Sequence, residues 1–221
     1  MFRLKLAMAI IGGVMVFYGF QEYRVSSGSS STAESVNLAE LEGGTELDNT
    51  YIKVGPHLAF YDGSIYVYES SEYSNGEPGP SSKVNYTYYP IISLEHSFNV
   101  GLDEIAEKYG DNVPENVKIP DLNTFSILVK TKRFSTIGAI PDYIEKELDI
   151  RGLVINRIHS LKSDEKRLIN ETFPTIDTNK ILILEEGRRP SSFVFWGGLI
   201  LGGLALIVVG LGWLVAGFTS H

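Results

Sequence analysis

The 221 residues contain no cysteine. Disulfides, thiolate metal sites, cysteine-ligated iron–sulfur clusters and cysteine nucleophiles are therefore excluded. A domain of this length still buries an adequate core without them. Also missing are a G-x-G-x-x-G loop, a Walker-type loop and a G-x-S-x-G elbow, so phosphate, dinucleotide and hydrolase readings lack their usual anchor, and no cofactor is expected. The four histidines, His57, His96, His159 and His221, fall at no metal-ligand spacing. His57 and His96 flank the strand region and read as satisfied loop or edge residues. Asp103, Glu104 and Glu107 share an apparent helix face, which suits a solvated surface better than paired acid–base work. The expectation is a protein that is not an enzyme.

Charge is scarce at both ends. Residues 1–20 hold no acid and only Arg3 and Lys5 as cations, and residues 190–221 hold no Asp, Glu, Lys or Arg. All 27 acids but only 17 of the 19 Lys and Arg residues lie in 21–189, a net charge of −10. So acidic a middle repels phosphate backbones, which argues against a nucleic-acid partner. It also keeps a domain soluble beside a membrane.

The charge-poor ends read as two membrane spans. Phe193 to Phe218 is 26 residues without a charge, enough to cross the hydrocarbon core with some tilt. Trp196 and Trp213 lie roughly 25 Å apart along such a helix, one near each interface, with Arg188 and Arg189 on the watery side. Leu6 to Phe20 is shorter, but it runs directly into Gln21-Glu22-Tyr23-Arg24 without a small-x-small cleavage site, and Lys5 can snorkel. The expected layout is a first transmembrane helix over 4–22, a Ser/Gly linker over 23–35, a β-rich domain over 36–187 and a second transmembrane helix over 192–218. The N-terminal cations favour cytoplasmic termini and an extracytoplasmic domain, while Arg24, Arg188 and Arg189 pull the other way. Sequons at Asn85-Tyr86-Thr87 and Asn170-Glu171-Thr172 matter only in a eukaryotic secretory route. Membrane lipids are one expected partner. Gly198, Gly202, Ala205, Gly212 and Ala216 form a lane of small side chains on the last helix, suited to close packing against Gly12, Gly13 and Gly19 of the first helix or against another protein. Frequent glycine is also common in membrane helices.

In the middle, Asn37 caps a short helix that Gly43-Gly44 ends. Residues 51–54, 64–68, 83–94, 125–132, 151–158 and 180–185 are rich in β-branched and aromatic residues and read as strands, with 70–82 a loop. Helices are expected over Leu102–Tyr109, Pro141–Leu148 and from Ser163 to about Thr172. The fold expected is α+β, mainly β: a small antiparallel, OB-like barrel flanked by N- and C-terminal transmembrane helices.

The segments Val36 to Gly44, Asp48 to Val54, Tyr88-Tyr89-Pro90-Ile91 and Ile181 to Pro190 resemble uncharacterised bacterial membrane-anchored proteins with a helix, extracytoplasmic β-domain, helix layout. That layout is also similar to the membrane-flanked domain of GIDE-type ubiquitin ligases, although the RING cysteines are missing here. The resemblance implies architecture only; with the charge reading above, the expected location is the bacterial inner membrane, with both termini cytoplasmic and the domain periplasmic. It supplies no catalytic residues. Seven tyrosines fall between Tyr61 and Tyr89; Tyr66 with Tyr68, and Tyr86 with Tyr88, share faces by period two. They serve either as cross-strand pairs of the barrel or as a docking surface. The function expected is a non-catalytic accessory or scaffolding subunit of a multi-subunit membrane complex, with other subunits of that complex as partners. The alternative is a stand-alone membrane-anchored sensor or ligand-binding module.

Overall fold

A computed structural model describes residues 2–68, 78–110, 112–114, 116–120, 122, 124–156 and 163–218, with the side chains of residues 2 and 212–218 left aside. His159, His221, Tyr73, much of the expected 70–82 loop, the end of the expected 151–158 strand and the side chains of Gly212, Trp213 and Ala216 lie outside the described residues. The chain forms two compact units, Met1–Ser31 with Arg189–His221, and Thr32–Arg188.

The first unit consists of helices α1 (Phe2–Ser27) and α5 (Phe193–Phe218). Both are long and apolar enough to cross a membrane: Arg3–Ser27 reaches a mean hydropathy of 1.6 and Phe193–Leu211 of 2.3. α1 continues past the expected end at residue 22, because Ser27 and Ser29 hydroxyls donate to the carbonyls of Arg24 and Val25 at 3.2 and 2.7 Å and so satisfy its last turn.

The second unit is α+β. Its strands are β1 (Glu34–Val36), β2 (Tyr51–Val54), β3 (His57–Phe60), β4 (Ile65–Tyr68), β5 (Val84–Ser93), β6 (Ile127–Thr131), β7 (Ile144–Glu147), β8 (Ile150–Val154) and β9 (Leu182–Glu186). Its helices are α2 (Leu38–Glu42), α3 (Ser97–Tyr109) and α4 (Ser163–Thr172). Eight strands follow one path, β1-β2-β8-β9-β6-β5-β3-β7, and β4 joins β5 alone. The sheet curls into a half-barrel.

The strand path differs from the antiparallel barrel expected. β1 pairs with β2, and β6 with β9, in parallel. Parallel neighbours need a crossover, and α2 supplies it in the first case while β7, β8 and α4 intervene in the second. β7 and β1 end the path without pairing to each other among the described residues. The helix expected over Pro141–Leu148 is β7 instead: Ile144 to Glu147 pair with Phe60 to His57, and that pairing overrides the helix-forming run Glu-Lys-Glu-Leu. Residues 34 and 35, expected as the end of the linker, belong with Val36 to β1.

β5 is long enough to serve two partners along one edge, β4 over Val84–Tyr88 and β3 over Ile91–Ser93. Pro90 falls in the interval between them, where that edge has no strand to donate to. Alternation along the strands separates two cores. Ile52, Val54, Ile91, Val129 and Leu184 lie on one face, under Leu38 and Leu41 of α2. Phe60, Ile92, Leu128 and Ile183 lie on the other, under Phe98 of α3 and Ile169 of α4. α2 forms as the sequence suggests: the Asn37 side chain accepts from the Ala39 N–H, and Gly43 closes it.

Candidate functional site

Four features bear on function: the helix seam, the tyrosines, a buried polar network and a groove. α1 and α5 run antiparallel and meet along a seam spaced alternately by four and three residues. On α1 it is Lys5, Ala9, Gly12, Val16 and Gly19; on α5 it is Trp196, Ile200, Gly203, Ile207 and Gly210. A Cβ added to Gly12 would sit 2.5 Å from the Gly203 carbonyl oxygen, and one added to Gly203 would sit 2.6 Å from that of Gly12. Gly19 and Gly210 are closed off in the same way by Ile200 and by the Lys5 carbonyl, at 2.7 and 2.9 Å. Only glycine permits this approach, and the four–three spacing is that of a left-handed coiled coil.

The lane expected on α5 is displaced by two positions from this seam. A Cβ on Gly198 or on Gly13 would meet nothing within 4 Å, and one on Gly202 would meet only the Met15 methyl at 3.4 Å. Ala205 is exposed. As a contact with the first helix the lane is therefore corrected to Gly203 and Gly210, with Gly12 and Gly19 opposite. The seven-residue interval common to Gly12–Gly19 and Gly203–Gly210 was the signal in the sequence. Among the expected interface anchors, Trp196 packs edge-on against Tyr23 at 4.9 Å and Phe193 at 4.8 Å. Arg188 donates to Glu185 at 2.7 Å, Arg189 is exposed and Lys5 is half-buried.

The four tyrosines do not share a surface. Ile65 pairs with Tyr88 and Val67 with Tyr86, so Tyr86 and Tyr88 stand on the α3/α4 face, while Tyr66, opposite Thr87, stands on the other. The Tyr66 and Tyr68 rings are tilted, with centroids 6.4 Å apart, and Tyr86 meets Tyr88 edge-on at 5.5 Å. Tyr88 is 1 % exposed, so it offers no docking area. Its hydroxyl donates to Glu165 of α4 at 3.0 Å, and Lys130 donates to the same oxygen at 2.9 Å while lying 4.1 Å above the Tyr86 ring. These groups fasten α4 to the sheet. Burial, with the nearby Glu165 charge, pushes the Tyr88 phenol pKa up.

Hydrophobic patterning gave no sign of the polar network on the α2 face. Tyr61 donates to Glu147 of β7 and accepts from Arg133, and Arg133 also donates to Glu147 at 3.0 Å. His57, fully buried, gives its Nδ1–H to the Gly55 carbonyl at 2.8 Å, which turns Nε2 toward Glu147 Oε2 at 3.5 Å. A proton on Nε2 makes that approach an ion pair. Burial acts to raise the Glu147 pKa, but hydrogen bonds from Tyr61 and Arg133 and the Arg133 charge outweigh it and hold the carboxyl below its ordinary value. Burial and the Glu147 hydrogen bond push Tyr61 up. Buried polar atoms without a hydrogen-bond partner also lie on this face: His57 Nε2, Thr87 Oγ1, Tyr89 OH and Glu186 Oε2.

A groove runs across the strand ends where β5 leaves and β6 and β9 enter. One part, about 390 Å³, is lined by Glu42, Ser93, His96, Thr124 and Ser126 among others; the adjoining part, about 310 Å³, shares Glu42, Thr124 and Ser126 and reaches Asp177 and Lys180. Glu42 accepts from the Ser93 N–H at 2.8 Å and the Ser93 hydroxyl at 2.5 Å. His96 caps α3: its Nδ1 accepts from the Phe98 N–H at 3.1 Å, so Nε2 carries the proton and meets Thr124 Oγ1 at 3.2 Å. His57 and His96 are thus a core residue and a helix cap, tens of sequence positions apart. Asp103, Glu104 and Glu107 are exposed on α3. No group of three or more His, Asp or Glu side chains suited to a metal ion occurs among the described residues. No protein-family model, curated protein or solved structure matches the chain.

Proposed function

We propose that the chain is a non-catalytic accessory or scaffolding subunit of a multi-subunit membrane complex, anchored by α1 and α5 as a helical hairpin. One observation carries the reading. α5 has two small-residue lanes, roughly 200° apart around the helix; α1 fills the one with Gly203 and Gly210 and leaves Gly198 open. The open lane is flanked by Leu201 and Val208, 71 % and 68 % exposed. In lipid no hydrophobic force draws helices together, so a lane that admits close backbone approach is the feature that selects a partner helix. On this reading both termini face the cytoplasm of a bacterial inner membrane and the β-domain, on the periplasmic side, braces a partner subunit. Tyr66 and Tyr68 offer it contact area.

The test is native sizing after extraction in mild detergent. Gly198→Leu with Ala205→Leu should release the chain from larger assemblies, and a wild-type chain that migrates alone, or a variant with unchanged associations, would count against the proposal. A second reading, a ligand-binding module with an OB-like concavity, is favoured by the groove beside Glu42, Ser93 and His96. It requires a small molecule that raises the melting temperature of the wild type but not of Glu42→Gln.

A further inference from the structure

We infer that the groove beside α2 binds a short linear diamine, one ammonium on Glu42 and the other on Glu95. The inference names a ligand for the second reading above and rests on that reading. The larger part of the groove, about 390 Å³, lies wholly within the α+β unit. Its charged lining among the described residues is Glu42 and Glu95, with no Lys or Arg.

Charge points to a cation. The carboxylates that the sheet and α4 bury in whole or part each have one: Glu147 and Glu186 lie within 4.0 Å of Arg133, Glu165 of Lys130 and Glu185 of Arg188. Glu42 is half-buried too, yet among the described residues its two oxygens are held by Ser93 alone, through the N–H and the hydroxyl. Those bonds fix the carboxylate in place without neutralising it, and an ammonium completes it with a charge-assisted bond. The net charge of −10 over residues 21–189 draws cations toward the same domain.

Hydrogen bonding points the same way. Ser93 gives both its protons to Glu42, Ser126 gives its hydroxyl proton to the Leu41 carbonyl at 3.3 Å, and His96 Nε2 gives its proton to Thr124. Oxygen lone pairs therefore remain along the floor, while Ser97 and Thr124, which keep hydroxyl protons, stand at the exposed lip. Such a surface suits a ligand whose polar groups are all N–H donors. Ala39 and Phe125 add apolar lining for the methylenes between two ammonium groups, which a metal ion would leave unused. The adjoining part, about 310 Å³, carries Lys180 as well as Asp177, so a longer polyamine meets a like charge there.

The experiment is calorimetric titration and thermal melting of the full chain in mild detergent at constant ionic strength. The probes are diaminobutane, butylamine, butanediol and glutarate. Diaminobutane should bind saturably and raise the melting temperature; butylamine should bind several-fold more weakly, and butanediol and glutarate not at all. Glu42→Gln and Glu95→Gln should each weaken diaminobutane binding several-fold. Glu95 is exposed, so its variant should fold as the wild type does. Glu104→Gln, exposed on α3 and outside the groove, should bind normally. Wild-type affinity in Glu95→Gln, equal affinity for butylamine, or displacement of the diamine by an equal concentration of magnesium ion would each overturn the inference. If glutarate or butanediol bound instead, and Glu42→Gln abolished that binding, the ligand-binding reading would stand and only its amine would fall. Were none of the four probes bound, the diamine site would be refuted and the groove would no longer favour that reading.

Discussion

Single side chains on the α2 face are held by charge as much as by packing. Glu147 bridges β7 to Tyr61 and Arg133, and its carboxyl is held below the ordinary range. A depressed carboxylate contributes stability that is present above the unfolded value, near 4.3, and is lost as pH falls through the folded one. Thermal melts of wild type and Glu147→Gln should therefore differ most near neutrality and converge as pH drops below about 4. On the opposite face Lys130 neutralises the buried Glu165, with side-chain exposures of 15 % and 9 %. Lys130→Ala should cost about 3 kcal/mol, because it leaves the carboxylate buried without its cation, whereas Lys130→Met with Glu165→Leu should recover most of the loss in chemical denaturation. If the double variant were as unstable as the single one, packing rather than charge would explain the contact. None of this was legible beforehand: Glu147 was read as part of a helix, and no local pattern announces which carboxylate a folded sheet will bury.

At the level of elements, close approach decides more than propensity does. Gly152 of β8 admits the neighbouring β9, since a Cβ there would overlap the Glu185 carbonyl. Gly152→Ala should lower stability by about 1–3 kcal/mol, read from urea unfolding, with the β8–β9 amides losing protection first. The hairpin offers a similar test. A Cβ on Gly210 lies 3.4 Å from that of Ala9, close to disulfide separation. In a chain without native cysteine, Ala9→Cys with Gly210→Cys should form one intramolecular bond under mild oxidation. The same pair built at Ala9 and Gly198 should not, and the mobility of oxidised and reduced chains on a denaturing gel separates the outcomes. Strand positions followed from runs of β-branched and aromatic residues, as in β5 and β6, and α4 from the Ser163-Asp164-Glu165 start. The proline signal at Pro141 failed at β7, where Ile144-Glu145-Lys146-Glu147 reads as a helix until a partner strand is present.

For the whole molecule, the contacts divide into a helical unit and the α+β unit Thr32–Arg188. Among the described residues, the latter carries both cores and the nine strands. Produced without the flanking helices, it should unfold in one cooperative transition and retain its circular dichroism. A non-cooperative melt would mean that the helical unit contributes to its core. The same separation explains why composition alone was uninformative until the ends were removed: apolar residues without charge collect in the helices, and a net charge of −10 collects between them.

Length and charge along the chain determined that there are two apolar helices with a β-rich domain between them, because these depend on local runs that any fold must accommodate. The cap on α2, the extent of α4 and most strand positions were settled by nearest-neighbour chemistry as well. Strand order, the parallel pairings, the separation of the tyrosines onto opposite faces and the choice of Gly203 and Gly210 as the seam were decided only in three dimensions. Each depends on which residues far apart in sequence come within a few ångströms, and a side chain's role there is set by a partner that its own neighbourhood does not encode.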